Sequence, residues 1–169
     1  METLTITQIW RYLRWLPNFL LRIIFNKERL SGMVLLDVKP RHQAVSVNVA
    51  DPGYFNIHFQ LINMSPFEVE LDRADIDFMC AGVRLRTMHI KKTSFKSGEI
   101  GTLFIEGEIS TAQADRIAKL YDKNRSSINL HCDFNCRLHS FSKSNHNLDG
   151  VNVDFTNAEW LKKQLEPVT

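Results

Sequence analysis

The chain has 169 residues, 44% of them hydrophobic, and 21 basic against 19 acidic residues give it a net charge of +2. That length suits one domain of about 140 residues plus an arm, large enough to bury a core without disulfide or metal staples. Up to Arg29 there are five basic residues against two acidic ones. The remainder is therefore near neutral, which excludes a nucleic-acid binder whose affinity comes from neutralising phosphates.

Residues 1–30 read as an amphipathic helical arm and residues 31–169 as the main domain. Leu4 to Phe25 contains no acidic residue. At helical spacing Thr7, Gln8, Arg11, Arg14, Asn18 and Arg22 fall in one polar stripe, and Ile6, Ile9, Trp10, Leu13, Leu16, Leu20, Ile23 and Ile24 take the rest of the circumference. A helix that greasy with a basic edge must lie in a membrane interface, dock on a partner or a second copy of the chain, or pack on its own domain. Spanning a bilayer is disfavoured, because arginines are spread along the whole segment and each costs about 2.5–3.5 kcal/mol near the bilayer centre. The leading Met-Glu-Thr lacks the basic start of a secretory signal. Pro17 removes a backbone donor, so the helix should bend there or split in two.

From Met33 the apolar period changes from helical to two. Val45, Val47 and Val49 alternate with polar residues, as do Phe55, Ile57, Phe59 and Leu61. Further strands are expected at Phe67 to Leu71, Ile76 to Cys80, Val83 to His89, Leu103 to Ile109, Ile128 to Leu138 and Val151 to Phe155, separated by turn chemistry such as Asp51-Pro52-Gly53, Asn63-Met64-Ser65-Pro66, Ala81-Gly82 and Ser97-Gly98. Short strands so punctuated indicate a mainly β fold, an immunoglobulin-like antiparallel sandwich. Ser110 or Thr111 can cap an inserted helix to about Lys123 with Ala114, Ile117, Ala118 and Tyr121 inward, and Asn157 a short C-terminal helix from Ala158 to Leu165. The stretch SFSKSNHNLDG, residues 140–150, reads as a solvated hairpin tip.

The three cysteines read as thiols of a reducing compartment. Cys132 and Cys136, four apart on one strand, would be about 13 Å apart, too far for a disulfide, and they alternate into the apolar face with Ile128, Leu130, Phe134 and Leu138.

The stretch FQLINMSPFEVELDRADIDFMCAGVRL resembles the late-embryogenesis-abundant group 2 domain, also called the water-stress and hypersensitive-response domain. Asn63 and Pro66 would stand for that family's Asn-Pro turn, Gly82 for its hairpin glycine, Lys96-Ser97-Gly98 for a later turn and Ser110 to Lys123 for its helix, over roughly residues 43–156. The resemblance implies a non-enzymatic binding or protective domain, often membrane-attached through an N-terminal segment. It implies no catalytic residues and no cofactor.

The residues themselves show no nucleophile elbow, phosphate loop or spaced metal ligands, and the seven glycines occur singly. His131 and His139 could meet Asp133 on an outward strand face, and Glu68, Glu70, Asp72, Asp75 and Asp77 alternate as a solvated face does. No enzyme, metal or cofactor is expected. Arg84, Arg86, Lys91 and Lys92 form a secondary basic patch that could face acidic lipid, although cross-strand pairing with the acidic run would neutralise much of it. Two functions follow for the arm, with Ile9, Trp10, Arg11, Leu13, Arg14, Leu16, Leu20, Arg22, Ile23 and Ile24 as its contact residues. One is a non-catalytic, lipid- or protein-binding scaffold held peripherally on the cytoplasmic side of a membrane, with an integral single span as an alternative placement. The other is a subunit of a soluble cytoplasmic complex whose helix docks in a partner's groove.

Overall fold

A computed structural model describes residues 15–38, 45–123, 125–149 and 151–165. Two short helices, α1 (Asn18–Ile24) and α2 (Lys27–Met33), lead into β1 (Val34–Val38), β2 (Val45–Asn48), β3 (Gly53–Asn63), β4 (Val69–Cys80), β5 (Val83–His89), β6 (Thr93–Phe95) and β7 (Ile100–Ile109). Helix α3 (Thr111–Leu120) and a 3-10 turn (Tyr121–Lys123) precede β8 (Ser127–Cys136), β9 (Ser140–Asp149), β10 (Val153–Thr156) and α4 (Ala158–Leu165).

The strands make two sheets. In sheet I, β3 pairs along one edge with β7 and along the other with β2 and β1 in succession, while β10 flanks β2. In sheet II, β4 pairs with β8 on one side and with β5 and β6 on the other, and β9 flanks β8. The inward rows meet as the period of two requires: Phe55, Ile57, Phe59 and Leu61 of β3 are buried, as are Ala74, Ile76, Phe78 and Cys80 of β4, and Phe55 packs on Phe78 at 5.7 Å between ring centroids. The fold is mainly β and sandwich-like. One pair departs from the antiparallel expectation, since β10 runs parallel to β2.

Two features that the alternation hides account for the main strand differences. Phe67 to Leu71 and Ile76 to Cys80 are not two strands, because β4 runs through both with a bulge between Leu71 and Arg73. The bulge moves the inward parity from odd (Val69, Leu71) to even (Ala74, Ile76), which reads in the sequence as a break. Residues 140–149 are likewise no solvated tip but a full strand, β9. Its Phe141 is buried on Phe134, and at the next two same-parity positions Lys143 donates through Nζ to the carbonyls of Ser31 and Val34, and Asn145 through Nδ2 to that of Leu36. These polar side chains serve carbonyls at the end of α2 and along β1, so the strand needs polar residues where alternation would put aliphatic ones.

The inserted helix conforms more simply. Ser110 is its N-cap in a capping box with Gln113, Ala114, Ile117 and Ala118 are buried, and Tyr121 meets Phe155 at a tilt, 5.8 Å between ring centroids. At α4, Asn157 donates its side chain to Asn48 Oδ1, and only its carbonyl serves the helix by accepting from Leu161. Cys80 and Cys132 are buried, but Cys136 is only half-buried beside the β8–β9 turn.

The Asn63-Met64-Ser65-Pro66 turn fixes one end of the sandwich. Buried Asn63 donates through Nδ2 to the carbonyls of Phe67, Phe95 and Lys96, at 2.8, 2.9 and 3.1 Å, and its Oδ1 accepts from the Ser65 amide and hydroxyl. Ser97 closes the knot by donating to the Ser65 carbonyl at 2.6 Å. The β3–β4 turn and the β6–β7 turn are thereby tied together.

Candidate functional site

Of the contact residues expected in the arm, Ile9, Trp10, Arg11, Leu13 and Arg14 lie outside the described residues, and Leu16, Leu20, Arg22, Ile23 and Ile24 lie within them. Pro17 (φ −55°, ψ 144°) is extended, and its carbonyl accepts the first bonds of α1, from Leu20 and Leu21. The described helix therefore starts at the proline, and its phase is counted from there. Asn26 accepts from the Arg29 amide to start α2, and the Arg29 guanidinium returns to cap the Ile24 carbonyl at 2.8 Å.

On this restarted phase Leu21 and Phe25, four residues apart, form the inner row. Both are buried, and Phe25 meets Phe67 edge-on at 5.3 Å, with the Arg137 guanidinium 5.0 Å from the Phe67 centroid. The opposite row is Phe19 and Ile23, which are 65% and 72% exposed, and Trp15 before the helix is 89% exposed. Leu20 and Ile24 are partly exposed on one flank and Asn18 and Arg22 are exposed on the other, while Leu16 packs against the core. The helix is thus pinned to the sandwich by one apolar row and presents a second apolar row outward. Phe19, Leu21 and Phe25 are not among the contact residues the sequence pattern picks out, because that pattern carries a single helical phase across Pro17, whereas the described helix begins at the proline, consistent with the split expected there. The paired spacing Phe19/Ile23 and Leu21/Phe25 between Pro17 and Asn26 was the signal.

The secondary basic patch is largely compensated. Arg84 makes a forked contact with Asp77, Arg86 lies 3.9 Å from the same carboxylate, and Lys92 bridges Glu70 and Asp72 at 3.0 Å each. The Arg84 hydrogen bond, against some desolvation, holds the Asp77 carboxyl below its usual range, and bonds to Asp72 and Glu70 raise the Lys92 ammonium. Lys91 is exposed.

A shallow groove of about 590 Å³ crosses the outer face of sheet II, lined among others by Arg73, Asp75, Asp77, Arg86, His131 and His146. Beside it the Ser144 hydroxyl is 2.7 Å from His131 Nδ1, His131 Nε2 is 3.4 Å from Asp133, and Ser142 donates to Asp133 at 2.7 Å. His131 thus meets Asp133 as expected, but His139 does not, standing instead in the turn with Nε2 3.5 Å from the Arg22 carbonyl. The chain of hydroxyl, imidazole and carboxylate lies on an open strand face, where water competes for every member. No group of histidine, cysteine and acidic residues with metal-holding geometry occurs among the described residues. No helix among them is long and apolar enough to cross a membrane.

No family model matches the sequence, and no curated protein matches it. Solved structures with some likeness include the structural-genomics target SoR45, at TM-score 0.47 and 9% identity over 68% of this chain and 83% of that one. A protein from Archaeoglobus fulgidus gives TM-score 0.40 and 8% identity over 66% and 91%. The sporulation control protein Spo0M of Bacillus subtilis gives 0.33 and 7% over 72% and 48%. Likenesses this remote carry no functional argument.

Proposed function

We propose that this protein is a non-catalytic, membrane-associated binding or scaffold protein, attached in the plane of a cytoplasmic leaflet by its N-terminal segment and presenting the β-sandwich to a partner or lipid. The observation that carries the reading is the double-sided helix α1, whose Leu21 and Phe25 are buried while Phe19 and Ile23 face outward. Burying two such side chains in a bilayer interface contributes about 2–4 kcal/mol together. Arg22, with Arg11 and Arg14 of the preceding sequence, adds about 1 kcal/mol each against acidic headgroups. The resemblance to the water-stress and hypersensitive-response domain agrees with an immunoglobulin-like sandwich carried on a membrane-attached N-terminus.

Flotation with vesicles tests this. The full chain should float with vesicles containing phosphatidylserine, weakly with pure phosphatidylcholine, and Phe19→Gln/Ile23→Gln should remove most of the binding without lowering the melting temperature. Failure of the full chain to float, with the same double variant instead dissociating it from a protein complex in cell extracts, would replace the membrane by a partner's groove.

A further inference from the structure

Sheet I is expected to be polar outside, yet its outer face carries one aliphatic row. Leu35 of β1, Ile62 of β3 and Ile100 of β7 are direct cross-strand neighbours, because Leu35 pairs with Ile62 and Ile62 with Ile100. Leu35 is 43% and Ile100 60% exposed. The next row toward the other end is polar, Asp37, Gln60 and Thr102, and the one after it pairs His58 with Phe104, an exposed aromatic rather than an aliphatic side chain. The aliphatic row therefore marks one end of the sheet, and it is the end to which α1 is fastened. Ile62 directly precedes Asn63 of the buried knot, Met64 donates its amide to Met33 at the end of α2 and has an exposed side chain, and Phe67 of the same turn holds Phe25.

The charges at this end differ from those on sheet II. Arg22, Lys96 and Arg137 are exposed there, and none forms an ion pair with a described residue. Glu99 spends its carboxylate on the Lys96 amide at 2.6 Å, and the adjoining segments carry two exposed acids, Glu28 of α2 and Glu68 after the Asn63 turn. On sheet II, by contrast, Arg73, Arg84, Arg86 and Lys92 all meet carboxylates. Exposed aliphatic groups beside cations that no described carboxylate neutralises, Arg137 among them although it also lies over the Phe67 ring, match an anionic bilayer surface, where apolar side chains enter the interface and cations stay at the headgroups.

We propose that the end of the sandwich bearing α1 is itself a membrane-contact platform, with Leu35, Ile62, Ile100 and Met64 entering an acidic bilayer interface beside α1, so that the domain stands on the membrane by this end. The inference rests on the membrane reading of α1 and adds the orientation of the sandwich. It also leaves the groove on the outer face of sheet II clear of the headgroups.

The test uses the full chain and vesicles of phosphatidylcholine with and without phosphatidylserine. Leu35→Gln/Ile100→Gln should weaken binding to the acidic vesicles by about tenfold, equivalent to 1.4 kcal/mol. Met88→Gln/Leu120→Gln, which removes exposed apolar groups elsewhere, should leave binding unchanged. Leu35→Thr/Ile100→Thr keeps strand-favouring side chains and serves should the glutamine pair lower the melting temperature. Wild-type binding in the Leu35/Ile100 variants, with loss in Phe19→Gln/Ile23→Gln, overturns the platform and leaves the α1 reading intact. No binding by any form overturns both. A dimer broken by the Leu35/Ile100 changes with vesicle binding unaltered assigns the row to a second copy of the chain and also overturns the platform.

Discussion

Replacing Asn63 by alanine should be among the most damaging single changes in the described residues. The amide's two N–H donors are shared among three carbonyls and its oxygen accepts from two Ser65 donors, all buried or nearly so. Alanine leaves those groups facing a space too poor in partners to replace them, and each orphaned buried group costs about 1–3 kcal/mol. The Ser65 hydroxyl can turn its single proton wholly to the Phe67 carbonyl, 2.9 Å away, which spares part of the loss. A net cost of about 3 kcal/mol or more follows, a drop of roughly 6–12 °C in melting temperature for a domain of this size. Asn63→Asp probes the sign. It keeps the acceptor toward Ser65 but sets a carboxylate against three carbonyl oxygens, so the folded state favours its protonated form and its pKa there lies above the unfolded value near about 3.9. Stability of that variant should therefore rise as pH falls toward 4 relative to wild type, opposite to an ordinary ion-paired acid. Urea melts of wild type, Asn63→Ala and Asn63→Asp at neutral and mildly acidic pH measure both effects. An Asn63→Ala melt indistinguishable from wild type would refute the knot as the tie between the two turns.

Four further outcomes are expected. Gly107→Ala should destabilise by about 1–3 kcal/mol in a thermal melt, because its Cβ would fall 2.4 Å from the buried Phe55 ring, whereas Gly32→Ala in α2 meets nothing within 4 Å and should be neutral or slightly stabilising. Burial pushes the Cys80 and Cys132 thiols up to about 12, so in the native state a thiol reagent should reach Cys136 well before either, and equal rates at all three would contradict the core placement. Burial lowers the Lys143 ammonium, so unfolding takes up a proton and stability should increase as pH rises toward the unfolded lysine value near about 10.4; Lys143→Met should flatten that slope in melts over alkaline pH while lowering stability overall. Deleting residues 1–14 should leave a cooperative melt, whereas deleting residues 1–26 also removes buried Leu21 and Phe25 and should cost about 5 kcal/mol or more, enough to threaten folding.

What could be read from the sequence follows from how local the deciding interactions are. The alternation of Phe55, Ile57, Phe59 and Leu61 needs only a period of two, and Ser110 with Gln113 needs only a helix start, so β3 and α3 were both visible. The single strand β4 was not, because a bulge at Asp72 reverses parity. Strand β9 is hidden for a longer-range reason: Lys143 and Asn145 are polar and serve the Val34 and Leu36 carbonyls of β1, more than a hundred residues away. In the arm, composition carries the apolar and basic character and the spacing Leu21/Phe25 is visible locally, but that this row faces inward depends on Phe67 after the Asn63 knot and Arg137 after β8, both far away in the sequence. The aliphatic row Leu35, Ile62 and Ile100 comes from three distant strands and exists only once their register is fixed.

The most direct test of membrane attachment through the N-terminal segment uses the chain's own fluorescence. Trp10→Phe/Trp160→Phe leaves Trp15, the 89% exposed residue at the foot of α1, as the single tryptophan. Added to phosphatidylserine-containing vesicles, its emission should shift to the blue and be quenched by lipids brominated near the headgroup end of their chains more strongly than by those brominated near the bilayer centre, as an in-plane segment requires. Emission that stays at its aqueous wavelength and is untouched by either quencher would contradict the account.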